Sequence, residues 1–186
     1  DFLSRLRRLV RWIGVSDGYL ELVDQRRLPG EWVRIQCRTV PCLYDAIRTL
    51  AVRGAPALGV AAGFGLVLSM QDPGLRSVQE ALDLLEERAS YLASARPTAV
   101  NLSWALERVV RIVKAWVAAR PAASVQDLRR VVFDEACAIL EEDVQMCRRI
   151  GEHGARFVQD GFGVLTHCNA GALACAGQGT ALSVLF

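Results

Sequence analysis

The part of the chain best suited to chemistry is the run VLTHCNAG at residues 164–171. Apolar alternation gives way there to a thiol (Cys168), a carboxamide (Asn169) and a glycine. The pattern predicts a short buried strand over residues 162–167, followed by a helix over the small-residue run 172–181. Ligands of open α/β sheets bind outside the carboxyl ends of strands, and helix N-termini present free N–H groups. We therefore expect a site at this junction.

Two interpretations of Cys168 stay open from its position alone. A thiol before a helix N-terminus and beside His167 has the surroundings of a catalytic thiolate. The alternative is a buried structural thiol, the more common fate of a free cysteine. Consecutive side chains of a strand point to opposite faces, so we do not expect a Cys–His dyad and expect His167 to be buried in the sheet. Asn169 either orients a ligand hydroxyl or stabilises the turn.

Two arginines stand directly before predicted helices. Arg53 is followed by Gly54 and by Pro56, which fits the first turn of a helix. A guanidinium beside a glycine at a helix N-terminus suits an anion, and the alternative is a solvated loop arginine. Arg96 precedes Thr98, which serves either at the same kind of site or only as an N-cap. Together the two arginines would fit one phosphorylated ligand held from two sides.

Composition and motifs exclude several functional classes. The net charge is +2, and no basic block is interleaved with aromatic residues, so we expect no nucleic-acid binding. Six cysteines form no CxxC pair and only two histidines are present, which disfavours a zinc site and favours reduced thiols in a cytoplasmic protein. The longest apolar run, residues 55–70, is shorter than the ~20 residues of a membrane span. GxGxxG and HExxH motifs are absent, so we expect no nucleotide or metal cofactor.

Hydrophobic periodicity predicts the elements that would position these groups. Period-2 patterns at residues 19–23 and 32–37 indicate two or three short antiparallel strands. Five helices are then predicted near residues 43–51, 56–70, 77–95, 98–116 and 124–154, with Ser77 and Ser124 as N-caps. The fold class is α/β. Residues 1–120 are expected to form a mixed, mostly helical domain with a small β-sheet. Residues 121–186 are expected to form a long connecting helix and the first strand–helix unit of a Rossmann-like parallel α/β domain.

Three segments, taken in their order and spacing, resemble the signatures of the methylthioribose-1-phosphate isomerases, which belong to a wider family with the alpha, beta and delta-like subunits of initiation factor 2B. They are VRGAPALGVAA at 52–62, ARPTAVNL at 95–102 and LTHCNAGALA at 165–174. The segment LVDQR at 22–26 is similar to the N-terminal hairpin of these isomerases. The resemblance extends over the chain after the first ten residues.

The resemblance implies an aldose–ketose isomerase of methionine salvage. It would convert 5-methylthioribose 1-phosphate to 5-methylthioribulose 1-phosphate as a homodimer, without a metal or nucleotide cofactor. By the same resemblance, Arg53, Gly54 and Ala55 belong to a substrate-binding loop, Arg96 is a second substrate-binding residue, and Cys168 is the catalytic cysteine that stabilises the transition state.

The same resemblance leaves parts of the site outside this chain. The aspartate that transfers the proton in these isomerases lies beyond residue 186, so we expect these 186 residues to be an incomplete and inactive portion. Gln178 stands where an aromatic residue is usual in these isomerases, so two other members of the wider family remain alternatives. They are a ribose-1,5-bisphosphate isomerase and a non-catalytic regulatory subunit like those of initiation factor 2B.

Overall fold

The computed structural model describes residues 9–186, which begin with a small antiparallel sheet. Strands β1 (Val10–Ile13), β2 (Tyr19–Val23) and β3 (Arg34–Cys37) lie in the order β1–β2–β3. Leu20 of β2 pairs with Trp12 on one side and with Cys37 on the other. The predicted strands are confirmed, although β3 begins two residues later than the pattern suggested.

Five α-helices follow the sheet in the described part of the chain. They are α1 (Val40–Arg48), α2 (Ala55–Ser69), α3 (Val78–Ser94), α4 (Val100–Ala118) and α5 (Val125–Gly154). Two short 3₁₀-helices, Ala155–Phe157 and Ala181–Leu185, complete the chain. None of the helices among residues 9–186 combines the length and the apolar character needed to cross a bilayer.

The helix starts largely obey the capping signals in the sequence. Ser77 and Ser124 each form a capping box, with Glu80 and Asp127 respectively, and so satisfy N–H groups that the helix leaves unpaired. The prediction for α4 is wrong by two residues, because the N-cap is Ala99 and no side chain caps the helix. Thr98 is therefore not an N-cap.

Helix α2 lies at the centre of the fold. Thirteen of its fifteen residues are buried, as expected for a helix that is apolar on all sides. Small residues allow close approach: a Cβ on Gly59 would lie 3.2 Å from the carbonyl oxygen of Asn101 in α4, and one on Gly63 would lie 3.4 Å from Cα of Ala136 in α5. Helix α5 thus packs on the same core as α4. The predicted boundary between two domains at residue 120 stays a prediction.

The strand and helix predicted around Cys168 are wrong. Residues 162–167 are exposed and form no strand, with Leu165 98% accessible. A parallel strand needs a paired neighbour, and no described strand lies beside this segment. Residues 172–180 form turns instead of a helix, because Gly171 and Gly179 pair in an isolated bridge and Gly179 adopts φ +123°. Only residues 181–185 are helical, as a 3₁₀ turn.

Candidate functional site

The loop before α2 is fixed by a buried side chain that follows β2. Gln25 is 3% exposed, and its amide donates to the carbonyl oxygens of Arg53 (3.1 Å) and Leu173 (2.8 Å). Its own carbonyl oxygen accepts a hydrogen bond from Nε of Arg53 at 3.3 Å. One buried carboxamide therefore joins the Arg53 loop to the segment that follows Cys168, although the two are far apart in sequence.

The neighbouring pair Asp24 and Arg26 stiffens the same turn. The Arg26 guanidinium donates to both carboxylate oxygens of Asp24, at 2.8 and 2.7 Å, and to the hydroxyl of Thr49 at 2.9 Å. These hydrogen bonds hold the pKa of the Asp24 carboxyl below its ordinary value, against the opposing effect of its burial. The end of β2 and the end of α1 are thereby tied together next to Gln25.

Residues 169–180, which follow Cys168 and contain the turns of residues 172–180, are called the Cys168 loop. Gly54 is required where this loop meets α2. It adopts φ +102°, and a Cβ there would lie 2.4 Å from Cα of Ala174. The amide of Ala57 donates to the carbonyl oxygen of Ala174 at 2.9 Å. The first turn of α2 therefore offers less to an anion than the sequence suggested, since Pro56 has no N–H and the Ala57 N–H is already bonded.

The start of α4 lies beside the start of α2 and leaves its first amides free. The two first turns line one side of a shared cleft with Pro56, Gly59, Val100 and Asn101, and α5 closes the other side. Within residues 9–186, the backbone amides of Val100 and Asn101 donate to no acceptor. The Arg96 side chain is partly buried and has no hydrogen-bond or ion-pair partner in the described chain. Arg53 and Arg96 therefore precede adjacent helix starts at one cleft.

A buried carboxylate on α5 connects this cleft to the Cys168 loop. Asp143 lines the cleft, is 9% exposed, and accepts a hydrogen bond from the Ala176 amide at 2.6 Å. Burial raises the pKa of Asp143, and the Ala176 hydrogen bond only partly offsets this. Asp143 was not among the predicted site residues. A charged residue on the buried stripe of α5 was the signal that could have revealed it.

Two thiols lie next to Asp143 on the face of α5 that meets the loop after Cys168. The ligand atoms of Asp143, Cys147 and Cys175 lie within 4.8 Å of one another. The Cys175 hydrogen bond lowers the pKa of the Cys147 thiol, whereas the same contact and burial raise that of Cys175. The backbone amides of Gly177 and Gly179 also donate to Cys147. These contacts fix the loop that follows Cys168 on the surface of α5.

Cys168 itself is exposed, which contradicts the interpretation of a buried structural thiol. It adopts φ +65°, a left-handed conformation that is uncommon for a residue with a side chain. His167 is also exposed, so the prediction that it is buried in a sheet is wrong. Asn169 lines a cleft of about 340 Å³ together with Gly171, Leu173 and Gln178.

The structure thus brings together the segments that carry the predicted residues. Gly54 contacts the loop after Cys168 directly, and the helix starts that follow Arg53 and Arg96 are neighbours. The roles of these side chains stay predictions. Gln25 is the main positioning residue that sequence reasoning did not assign to the site, although it lies in the LVDQR segment and is a polar residue shortly after an apolar strand.

None of the six cysteines, all of which lie within residues 9–186, is joined in a disulfide. Three of them are buried, two are partly buried and only Cys168 is exposed.

Comparison with known proteins adds a second line of evidence. The sequence profile of the Initiation factor 2 subunit family matches residues 51–186. A protein of Moorella thermoacetica named 5-deoxyribose 1-phosphate isomerase is 52% identical over 94% of this chain and 48% of its own length. A methylthioribose-1-phosphate isomerase of Xanthomonas euvesicatoria pv. vesicatoria is 46% identical over 96% of this chain and 47% of its own length. The chain therefore spans about half the length of these relatives.

Solved structures of similar chains share the fold. The delta subunit of translation initiation factor 2B from A. fulgidus superimposes with a TM-score of 0.82 and 41% identity over 96% of this chain and 49% of that one. The 5-methylthioribose 1-phosphate isomerase of Pyrococcus horikoshii gives a TM-score of 0.83 and 38% identity over 96% of this chain and 48% of that one. The profile match and the identity of these relatives lead to one conclusion: the chain belongs to the Initiation factor 2 subunit family.

Proposed function

We propose that the chain is a portion of an aldose–ketose isomerase that converts 5-methylthioribose 1-phosphate to 5-methylthioribulose 1-phosphate in methionine salvage. The observation that carries the proposal is the close packing of the loop after Cys168 on Gly54, with Gln25 joining the same loop to Arg53. The likeness to relatives named methylthioribose-1-phosphate isomerase supports it.

In this proposal the two arginines bind the phosphate of the substrate. A phosphate dianion is best held by charge-assisted hydrogen bonds, which the planar guanidinium groups of Arg53 and Arg96 can supply. The Arg53 guanidinium is oriented by Gln25, and that of Arg96 has no competing partner among the described residues. The unbonded amides of Val100 and Asn101 add donors at the positive end of α4.

Cys168 is proposed as the catalytic group of this portion. Isomerisation moves a hydrogen from C2 to C1 of the sugar, so charge develops on the substrate oxygens during the reaction. A polar group placed where that charge develops lowers the barrier. The thiol of Cys168 is exposed, and its backbone adopts the left-handed conformation with φ +65°. We assign proton transfer to none of the described residues.

A second substrate is favoured by one comparison. The relative at 52% identity is named for 5-deoxyribose 1-phosphate, which shares the anomeric phosphate and carries a methyl group where the first substrate carries a methylthiomethyl group. Ribose 1,5-bisphosphate differs more, because a second phosphate would need further cations. A regulatory, non-catalytic role is the remaining alternative, and the similar initiation factor subunit supports it. We further propose a cytoplasmic homodimer.

The test is an isomerase assay with the full-length protein that carries this chain. The three sugar phosphates are offered in parallel and ketose formation is followed. We expect turnover of 5-methylthioribose 1-phosphate, with the highest kcat/KM among the three. A higher kcat/KM for 5-deoxyribose 1-phosphate would make that sugar the proposed substrate. Absence of turnover with all three sugars, together with partner subunits that co-purify, would favour the regulatory role.

Variants locate the chemistry within the chain. Cys168→Ala should lower kcat by about 10²-fold or more if its thiol stabilises developing charge. Cys137→Ala, at a partly buried thiol of α5 that packs against the core, is the matched control and should leave kcat unchanged. Arg96→Gln should raise KM, because it removes a phosphate contact. Unchanged turnover in Cys168→Ala would reject the proposed role of this residue.

A further inference from the structure

A second pair of cysteines, neither of them among the proposed isomerase residues, lies at the corner between β3 and α1. Cys37 is the last residue of β3, and Cys42 is in the first turn of α1. The Cys42 thiol donates to the sulfur of Cys37, and the two Sγ atoms are 3.5 Å apart. This is van der Waals contact between sulfurs, and a disulfide requires an approach of only about 1.5 Å more, to about 2.05 Å.

The two thiols differ in their access to solvent. Cys42 is partly exposed, whereas Cys37 is fully buried beneath it. Burial raises the pKa of the Cys37 thiol. A small oxidant in solution therefore reaches Cys42 first, and Cys37 is placed as the second thiol, held directly behind the first.

We propose that Cys37 and Cys42 form an oxidation site in which a hydroperoxide converts the two thiols to an intramolecular disulfide. The Cys42 sulfur attacks one peroxide oxygen and breaks the O–O bond, which gives a sulfenic acid and one molecule of water from hydrogen peroxide. The Cys37 sulfur then attacks the sulfenic sulfur of Cys42 and forms the S–S bond. The sulfenic S–O bond breaks, and the hydroxyl takes the thiol proton of Cys37 and leaves as a second water. Both sulfurs are oxidised, and the peroxide is the electron acceptor.

The local fold favours this pairing over oxidation of Cys42 alone. The Cys42 amide donates to the hydroxyl of the N-cap Thr39 at 3.4 Å, which fixes the backbone of the first turn. The corner spans only four residues between the cysteines, so the second thiol is always near the first. Within the described residues, none of the other four cysteines forms a hydrogen bond with either sulfur. The sulfenic acid is therefore trapped as a disulfide before a second peroxide reacts.

The sequence offers a direct measurement of the cross-link. Trypsin cleaves after Arg34, Arg38 and Arg48, so the cysteines separate into the peptides IQCR and TVPCLYDAIR. The folded protein is treated with hydrogen peroxide, blocked with an alkylating agent and digested. We expect most of these peptides to migrate as one species, two hydrogens lighter than their sum, that dithiothreitol separates. A Cys168→Ser background avoids reactions of the exposed thiol.

Matched variants and conditions decide the outcome. Cys42→Ser should abolish the cross-linked species and leave Cys37 to be alkylated as the free thiol, while Cys137→Ser should leave the cross-link unchanged. Peroxide treatment in denaturing urea should lower its yield, because the fold no longer holds the sulfurs together. The proposal is wrong if folded protein yields Cys42 sulfinic acid with unmodified Cys37, if Cys42 pairs with a different cysteine, or if both thiols stay reduced.

Discussion

Gln25 and Arg53 orient each other through both ends of one carboxamide. The amide nitrogen of Gln25 donates to the Arg53 carbonyl at 3.1 Å, and its oxygen accepts from Nε of Arg53 at 3.3 Å. The same nitrogen reaches the Leu173 carbonyl at 2.8 Å. Since two donors and one acceptor of a buried side chain are used, the position of the guanidinium and the position of the Cys168 loop depend on one residue.

Gln25→Leu should therefore destabilise the chain by about 2 kcal/mol, because it leaves the carbonyl oxygens of Arg53 and Leu173 without their donor. Chemical denaturation measures the change, and hydrogen exchange should increase locally around Ala174. Gln79→Leu is the control: its amide bonds only Asp83 on the exposed face of α3, and its effect should stay within about 0.5 kcal/mol. Equal effects of the two variants would show that the Gln25 contacts are dispensable.

Gly54→Ala tests the contact between the two loops. A methyl group there would lie 2.4 Å from Cα and 2.6 Å from the carbonyl oxygen of Ala174, and φ +102° is unfavourable for alanine. We expect a loss of at least about 2 kcal/mol in the free energy of unfolding. Gly163→Ala, where no atom lies within 4 Å of the added methyl, should be neutral. A Gly54→Ala variant as stable as the parent would mean that this packing is absent in solution.

The sequence predicted the sheet and all five α-helices because each carries its own periodicity and caps. Helix α2 was identifiable from its apolar run and Pro56, and α5 from Ser124 with Asp127. The buried face of α5 includes a carboxylate, Asp143, beside Ile139 and Cys147, whereas Leu140 and Val144 are partly buried and pack against the core. Local patterns do not reveal that a carboxylate is buried to hold the Ala176 amide.

The segment around Cys168 could not be predicted in the same way. Its apolar residues match a buried strand, but strand formation depends on a neighbouring strand and not on the segment itself. Likewise, the run 172–180 has a helix-forming composition of alanines interrupted by glycines, and the contact of Gly171 with Gly179 determines its turns. Long-range contacts through Gln25 and Gly54 place this segment, and no periodicity encodes them.

Arg108 links α4 to α5 through two carboxylates. Its Nε lies 2.5 Å from Glu135, and its two terminal nitrogens contact both oxygens of Glu142 at 2.5 and 2.7 Å. Arg108→Met should cost roughly 2–3 kcal/mol, since it leaves the largely buried Glu135 carboxylate without a partner. Lys114→Met, which breaks the exposed pair with Glu86, should cost under about 1 kcal/mol.

The Arg108 contribution should also depend on pH. The Arg108 hydrogen bond lowers the pKa of Glu142, so its carboxylate stabilises the folded state above its unfolded pKa of about 4.3. This part of the stability is lost as the pH falls through the lower folded value. Urea denaturation at pH 7 and near pH 3 should therefore show a larger difference between parent and Arg108→Met at pH 7. A constant difference would contradict the pairing.

Asp143 should show the opposite dependence on pH. Its folded pKa is raised by burial, so the folded state binds a proton more tightly than the unfolded state does. The stability of the parent should therefore decline as the pH rises from about 3.9 toward the raised value, and Asp143→Asn should lack this decline. Because the asparagine oxygen can still accept from the Ala176 amide, this variant gains stability relative to the parent as the pH rises above about 4. Asp143→Ala removes the acceptor and should be less stable than Asp143→Asn throughout that range. A parent that gains stability relative to Asp143→Asn as the pH rises would show that the carboxylate is paired with a cation, and the Ala176 amide would then not be its principal partner.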